Sequence, residues 1–135
     1  MIIMGILSGL LGNASEVDVE KVEDNLEKIL IEDEKLVKAF KVLRDLMVFT
    51  DLRLILVDKQ GMTGKKMEYH TIPYESIRHF SVESTGHFDM EAELKIWTAG
   101  ASEPIIRNFK KGEHIFSVQR TLAEMKLKNY DLNRF

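Results

Sequence analysis

Residues 47–61 read MVFTDLRLILVDKQG, and this stretch decides the fold of the 135-residue chain. Two runs rich in apolar residues lie on either side of the polar corner Thr50-Asp51, and Gly61 lies in the turn that follows. Aromatic and branched residues bounded by turn-forming residues are typical of strands. The stretch therefore predicts a β-hairpin that sets the register of its neighbours, with Arg53 in a structural role beside the corner.

The same rhythm of short strands and tight turns continues on both sides of this hairpin. Short connections join antiparallel neighbours, whereas a parallel sheet needs long crossovers. Strands are expected at residues 36–42, 46–49, 53–57, 65–72, 77–83, 88–97 and 104–109, within a strand region of 35–109.

The strand at 88–97 has the clearest alternation of apolar and polar residues. Ala92, Leu94 and Ile96 share one face, and Lys95 and Trp97 share the other. This pattern predicts a half-buried antiparallel strand. Two interpretations of Trp97 stay open: an interface residue, or a ring that packs against a neighbouring long side chain.

A helix is predicted at each end of the strand region. At residues 15–31, Ser15 can cap the first turn, and apolar residues recur at helical spacing. The charged residues of this helix are predicted to form a solvated outer face: Glu20, Lys21, Glu23, Asp24, Glu27 and Lys28. The second helix is predicted at residues 113–129. Its apolar stripe is Ile115, Val118, Leu122 and Met125.

Residues 1–14 form an apolar N-terminal arm that contains Ile6, Leu7, Leu10 and Leu11. The apolar run is shorter than the ~20 residues that a membrane helix needs, and it lacks the basic start of a signal peptide. One interpretation is a disordered or packed tail. The other is a hydrophobic arm that docks on a neighbouring subunit or a membrane surface. In the second case these four residues, together with Trp97, are the candidate interface.

The order of these elements predicts the fold class. The chain is expected to be mostly β (α+β) and to form a single domain over residues 1–135. A sheet of about seven antiparallel strands twists and must cover its open end, and a terminal helix with one apolar stripe is a natural cap. The prediction is a pleckstrin-homology-like (PH-like) antiparallel β-barrel with a C-terminal helix and an additional N-terminal helix.

Several phrases of the sequence resemble the bacterial pleckstrin-homology domains, a family long catalogued as being of unknown function. The resemblance covers nearly the whole chain. It rests on residues 5–18, 48–61, 63–66, 69–74, 77–83, 86–89, 92–97 and 109–112. It implies a PH-like barrel that assembles into ring-like homo-oligomers.

Composition limits the classes of function. The net charge of -3 gives no overall attraction to nucleic acid or to an anionic membrane. The absence of cysteine excludes thiol chemistry and fits a cytoplasmic protein. The histidines lack the spacing of metal ligands, and residues 61–66 lack the full phosphate-loop pattern. We therefore predict no enzymatic activity, no metal, no cofactor and no nucleic-acid partner.

Basic residues near the first strands are the candidate anion contacts. They are Lys38, Lys41, Arg44 and Arg53. A polyphosphate head group needs several convergent cationic donors. A spacing of three residues places Lys38 and Lys41 on opposite faces of a strand, so the favoured interpretation is a solvated polar rim.

The sequence thus predicts a non-enzymatic PH-like binding and assembly module. It is expected to self-associate and to present surfaces to a protein or peptide partner, at a strand edge or beside the final helix. The alternative is a peripheral membrane or anionic lipid-head-group binding domain, which would use the apolar arm and the lysines near Arg44. Membrane contact is not favoured.

Overall fold

The computed structural model describes residues 5–11, 19–61, 66–84, 90–110 and 113–128. Their regular elements, in chain order, are α1 (Ile6–Leu11), α2 (Val19–Ile29), β1 (Leu36–Val42), β2 (Asp45–Thr50), β3 (Arg53–Gln60), β4 (Lys66–Pro73), β5 (Ile77–Ser84), β6 (Met90–Thr98), β7 (Ile105–Lys110) and α3 (Ile115–Ala123). A 3₁₀ turn, Tyr74–Ser76, precedes β5, and a π-helical turn, Glu124–Lys128, follows α3. The chain divides into two compact units, one ending at Thr71 and the other beginning at Ile72.

The strands form two sheets. β1, β2, β3 and β4 lie in that order in the first unit's sheet, and β5, β6 and β7 form the second. Each pairing whose register is described is antiparallel. The predicted mostly β, antiparallel architecture with a helix near each end is confirmed. The difference is that the described strands are hydrogen-bonded as two sheets, not as one closed barrel. Whether residues 1–135 act as a single domain stays a prediction.

The central strands of the first unit are buried on both faces. Ala39, Val48 and Ile55 stand in register on one face and belong to a core cluster with Leu7 and Leu26 from the helices. The opposite face carries other side chains that are also fully buried: Met47, Phe49, Leu54 and Leu56. Burial on both faces explains why residues 46–49 and 54–57 are continuous apolar runs without alternation.

The N-terminal arm contains a packed helix. Leu7 of α1 is fully buried, and its backbone N–H donates a hydrogen bond of 3.1 Å to Oε2 of Glu23 on α2. Glu23 was predicted to lie on a solvated face, and that prediction is wrong because α1 covers it. Its buried carboxylate satisfies an N–H in the first turn of α1, which has no partner within that helix.

α2 ends at Ile29, before the predicted boundary at residue 31. The carbonyl of Ile29 accepts a hydrogen bond of 2.9 Å from Arg53, and the N–H of Ile31 donates one of 3.0 Å to Glu34. Because the carbonyl of Ile29 and the N–H of Ile31 both bond to side chains outside the helix, α2 ends here. The predicted start at Ser15 lies outside the described residues.

The second unit has one buried sheet face. It carries Ala92, Leu94 and Ile96 of β6, as predicted, together with Ile77 and Phe109. α3 buries the predicted stripe of Ile115, Val118 and Leu122. The helix begins at Ile115, two residues after the predicted start at 113, and the predicted last residue, 129, lies outside the described part of the chain.

Candidate functional site

Arg53, the first residue of β3, is the centre of a polar network in the first unit. Its Nε and Nη2 donate to the two carboxylate oxygens of Glu34, at 2.8 Å and 2.9 Å. Nη1 donates to Oγ1 of Thr71 at 2.9 Å, and Nη2 also reaches the carbonyl of Ile29. This bidentate geometry is the strong form of a charge-assisted hydrogen bond. These contacts support the predicted structural role of Arg53.

The corner between β2 and β3 is tied to the same carboxylate. The hydroxyl of Thr50 donates to Oε2 of Glu34 at 2.7 Å and accepts from the N–H groups of Leu52 and Arg53 at 3.1 Å and 2.9 Å. Threonine forms such side-chain-to-backbone bonds in tight turns. The Thr50-Asp51 corner is therefore held by a side chain that is itself fully buried.

Glu34 is fully buried, and its pKa reflects the balance between burial and bonding. Burial raises the pKa of Glu34, but hydrogen bonds from Arg53, Thr50 and the N–H of Ile31, together with the charge of Arg53, lower it by more. The net effect is a pKa below the ordinary value of 4.5. Glu34 is therefore ionised at neutral pH and is fully occupied as an acceptor, which fits a structural group and not a proton donor.

A second link joins the loop before β1 to the same corner. The N–H of Lys35 donates to Oδ1 of Asp51 at 2.8 Å, and the N–H of Asp51 donates to the carbonyl of Lys35 at 3.0 Å. Together with Glu34, this pair of bonds fixes residues 31–35 against residues 50–53.

The structure does not bring the four candidate anion contacts together. Lys38 is opposite Phe49 and Lys41 is opposite Leu46 in the sheet, so the two lysines lie on opposite faces of β1. Arg44 is exposed at the β1–β2 turn, where it donates to the carbonyl of Lys59 at 3.3 Å. Arg53 is engaged by Glu34.

The candidate interface residues of the N-terminal arm divide into two groups. Leu7 is buried, and Leu10 and Leu11 are half-buried against the core cluster of the first unit. Ile6 is exposed. Of the four, Ile6 thus keeps the most side-chain surface for a partner, and its role in an interface stays a prediction.

Trp97 lies on the outer face of the second unit's sheet. It is half-buried and stacks on His79 of β5, with ring centroids 4.4 Å apart and planes inclined by 23°. Lys95, on the same face, lies 3.5 Å from a carboxylate oxygen of Glu93 and 3.9 Å from one of Glu83. The ring therefore has a packing partner within its own sheet, and an interface role for Trp97 stays a prediction.

The second unit also exposes apolar side chains that the sequence reading missed. Phe116 of α3 is 75% exposed and Leu127 of the π-helical turn is 62% exposed. Arg120, also exposed, lies between them in the chain. The sequence contains a signal for the exposure of Phe116. It is an apolar residue outside the buried stripe, on the side of the predicted helix that otherwise carries polar residues.

Among the residues that the structure describes, no group of three or more His, Asp or Glu side chains is placed to hold a metal ion. Within the same residues, no helix has the length and apolar character that crossing a bilayer requires.

Comparison with known proteins places the chain in a family. The family model described as bacterial PH domain matches residues 5–126. The chain belongs to the bacterial PH domain family. Membership confirms the resemblance that the phrases around residues 48–61 predicted.

This bacterial PH domain is similar to both curated and solved relatives. It is 56% identical over 121 residues to the uncharacterized protein YjqA of Bacillus subtilis (strain 168), covering 89% of this chain and 97% of that protein. A PH domain from Shewanella amazonensis SB2B matches with a TM-score of 0.72 and 52% identity, over 90% of this chain and 98% of that one.

A second crystal structure supports the same fold. The DUF1696 family protein with a PH domain from Shewanella loihica PV-4 matches this bacterial PH domain with a TM-score of 0.68 and 47% identity. The match covers 85% of this chain and 98% of that one. The PH-like fold predicted from the order of strands and helices is thereby confirmed.

Proposed function

We propose that this bacterial PH domain is a non-enzymatic binding and assembly module. It self-associates, and it presents surfaces to a protein or peptide partner. Membership in a PH domain family supports a binding role over a catalytic one. The three described histidines are all exposed and lie apart in the chain, with His70 on β4, His79 on β5 and His114 immediately before α3, and they form no recognisable catalytic arrangement.

The observation that carries the proposal is the exposure of Phe116 and Leu127. A phenylalanine that is three-quarters exposed on a regular helix lowers the solubility of the protein and does not stabilise the core of its own unit. Aromatic residues and arginine are enriched at protein interfaces. Phe116 and Arg120 of α3, with Leu127 of the π-helical turn that continues it, combine these properties.

The three side chains lie on one side of the helix. Positions 116, 120 and 127 are four and seven residues apart, the spacings that keep residues on one helical face. The π-helical turn has more residues per turn than an α-helix, which shifts the angular position of Leu127 by a fraction of a turn. We call Phe116, Arg120 and Leu127 the helix stripe. Its proposed occupant is a second copy of this chain.

Self-association through the helix stripe has a structural consequence. A stripe that meets a different surface on the next copy makes a heterologous contact, which generates a ring when the rotation closes. The ring-like homo-oligomer implied by the family resemblance is of this type. The subunit that would repeat has a mass of 15.6 kDa.

The test is light scattering on the wild type and on matched variants. The wild type is expected to give a multiple of 15.6 kDa at micromolar concentration. Phe116→Ser and Leu127→Ser together are expected to lower that mass, because they remove the apolar surface without touching the core. Leu52→Ser, an apolar exposed residue of the other unit, serves as the control. A wild type at 15.6 kDa throughout would refute self-association.

Binding to an anionic lipid head group has weaker support. It would need convergent cations, and Lys38, Lys41 and Arg44 point in different directions or lie apart. Co-sedimentation with vesicles containing phosphatidylserine at low salt tests this alternative, and we expect the protein to stay in the supernatant. The cytoplasmic location that the composition suggested stays a prediction.

A further inference from the structure

The outer face of the second unit's sheet carries aromatic and apolar side chains that adjoin one another. Trp97 of β6 stacks on His79 of β5, with ring centroids 4.4 Å apart. Lys95 shares this face with Trp97, and the register places Ile106 of β7 directly opposite Lys95. Trp97 and Ile106 are therefore diagonal neighbours on paired strands, about 7–8 Å apart, which is within reach of an aromatic side chain. Ile106 is 43% exposed.

Two carboxylates share one ammonium group at the centre of the same face. Nζ of Lys95 lies 3.9 Å from a carboxylate oxygen of Glu83 and 3.5 Å from one of Glu93. Among the described residues, Lys95 is the cation within 4 Å of these carboxylates, while the exposed Arg78 and Lys110 lie near the start of β5 and at the end of β7. The centre therefore carries one negative charge more than Lys95 balances, and the Glu83 side chain is 68% exposed. We call six residues the sheet face: His79, Glu83, Glu93, Lys95, Trp97 and Ile106.

The helix stripe carries side chains that complement the sheet face. Phe116 and Leu127 are exposed and apolar, and Arg120 is an exposed cation. Phe116 and Arg120 are four residues apart on α3, a rise of ~6 Å along the helix. On the sheet face, the rows of Ile106 and Glu93 are two residues apart along the strands, which is ~7 Å. These spacings match, so Phe116 can cover Ile106 while Arg120 reaches the glutamates.

Arg120 is available for such a contact. The ion pairs between described residues do not include it, although the exposed Glu124 follows it by four residues. Arginine and aromatic residues together are the side chains that most often dominate the binding energy of a protein interface. Arg120 can therefore supply the cation that the centre of the sheet face lacks.

The two surfaces do not cover each other within one chain, because both are exposed there. They can therefore meet only between copies. A contact between different surfaces of two copies is heterologous, and it leaves each copy with one further surface free for the next. Such a contact propagates from copy to copy and closes into a ring when the rotation allows it.

We propose that the helix stripe of one copy docks on the sheet face of the next copy. Phe116 covers Ile106 and the neighbouring edge of the Trp97 ring, and Arg120 pairs with Glu83. This inference deepens the proposed self-association and rests on it, since it names the surface that receives the helix stripe.

Fluorescence tests the proposal at the sheet face itself, because Trp97 is the chain's single tryptophan. Acrylamide quenching of the wild type is measured across the concentrations at which light scattering shows assembly. We expect the quenching constant to fall as the mass rises, because the next copy shields the ring. Ile106→Ser is expected to raise the dissociation constant of the assembly by at least about tenfold, with Leu52→Ser as the control that leaves it unchanged.

Mixing two variants tests which surfaces meet. The helix variant, Phe116→Ser/Leu127→Ser, keeps an intact sheet face, and the sheet variant, Trp97→Ser/Ile106→Ser, keeps an intact helix stripe. Each alone is expected to stay at 15.6 kDa, whereas an equimolar mixture should give a dimer of twice that mass. A contact between two helix stripes would leave the mixture at 15.6 kDa.

A charge exchange between exposed residues guards against misfolding of the sheet variant. Arg120→Glu and Glu83→Arg are each expected to weaken assembly, because each places like charges opposite one another. The double variant Arg120→Glu/Glu83→Arg restores the opposite pair and is expected to recover most of the lost affinity. Circular dichroism confirms that all three variants are folded.

The outcomes separate this inference from the self-association on which it rests. A wild type that stays at 15.6 kDa would refute both. An oligomer in which the quenching of Trp97 does not change, a mixture without dimer, or a double charge variant that assembles no better than the two single variants would overturn the contact with the sheet face and leave self-association standing.

Discussion

Arg53 and Glu34 form a two-point contact, with Nε and Nη2 of the guanidinium 2.8 Å and 2.9 Å from the two carboxylate oxygens. The carboxylate side chain is 0% exposed and the guanidinium side chain 17% exposed. The contact joins the end of α2, the loop before β1 and the start of β3, and through Thr71 it reaches β4. It therefore determines how the loop before β1 and the corner between β2 and β3 are placed in the first unit.

Removal of Arg53 is expected to destabilise the protein strongly. Arg53→Met leaves the buried carboxylate of Glu34 without its cation, which typically costs about 3–5 kcal/mol. Arg53→Lys keeps the charge but loses the planar fork, so its effect is expected to be smaller. Urea denaturation followed by circular dichroism measures both. A loss below about 1 kcal/mol for Arg53→Met, the range of a surface pair, would contradict the account.

The same pair can be tested by a double-mutant cycle. Arg53→Met alone leaves the carboxylate of Glu34 unpaired, and Glu34→Gln alone leaves the guanidinium of Arg53 unpaired. The double variant Glu34→Gln/Arg53→Met has neither unpaired charge. We expect the double variant to lose less stability than the sum of the two singles, as groups in direct contact do. Strict additivity would show that the two side chains do not stabilise each other.

Acid is expected to weaken the fold partly through Glu34. Its pKa is lowered in the folded protein, so the unfolded chain binds a proton more readily. The contribution is complete above the ordinary pKa of 4.5 and is lost as the pH falls through the lower folded value. Stability measured from neutral pH downward should therefore fall less steeply for Glu34→Gln than for the wild type. Parallel curves would contradict this assignment.

Leu43 is expected to be a site of backbone strain. It is the first residue of the two-residue loop between Val42 and Asp45, and its φ is +56°. This conformation costs a residue with a side chain about 1–2 kcal/mol. Because asparagine tolerates it better, Leu43→Asn should raise the thermal midpoint, while the branched Leu43→Val should lower it. Equal midpoints would mean that the loop relaxes around either side chain.

The packing of α1 can be tested with two adjacent residues. Leu7→Ala empties a fully buried site and is expected to cost about 2–5 kcal/mol. Ile6→Ala changes an exposed residue and is expected to stay within about 0.5 kcal/mol. Chemical denaturation of the two variants separates a packed helix from a loose arm, and equal small effects would favour the loose arm.

Local signals in the sequence were enough to predict most of the strands. β1 has the predicted bounds, and β3 begins at Arg53 as predicted, because turn residues and changes of period mark these points locally. The stripe of α3 was predicted for the same reason, since Ile115, Val118 and Leu122 recur at helical spacing.

Sequence patterns could not predict the polar network around Glu34 and Arg53. Glu34 lies between α2 and β1, 19 residues from Arg53 in the chain. No periodicity joins such a pair, so only the fold brings them together. Glu23 was misassigned because its burial depends on α1, a helix whose packing the charge pattern of α2 does not encode. Phe116 could have been identified as an apolar residue outside the buried stripe.

The central claim is that this bacterial PH domain acts through exposed surfaces, with the helix stripe covered by a second copy. Amide hydrogen exchange of residues 115–128, compared at low and high protein concentration, tests it most directly. The account predicts slower exchange in this segment at high concentration and no such slowing in the Phe116→Ser/Leu127→Ser variant. Concentration-independent exchange, while light scattering gives an oligomer, would contradict the claim and assign the contact to another surface.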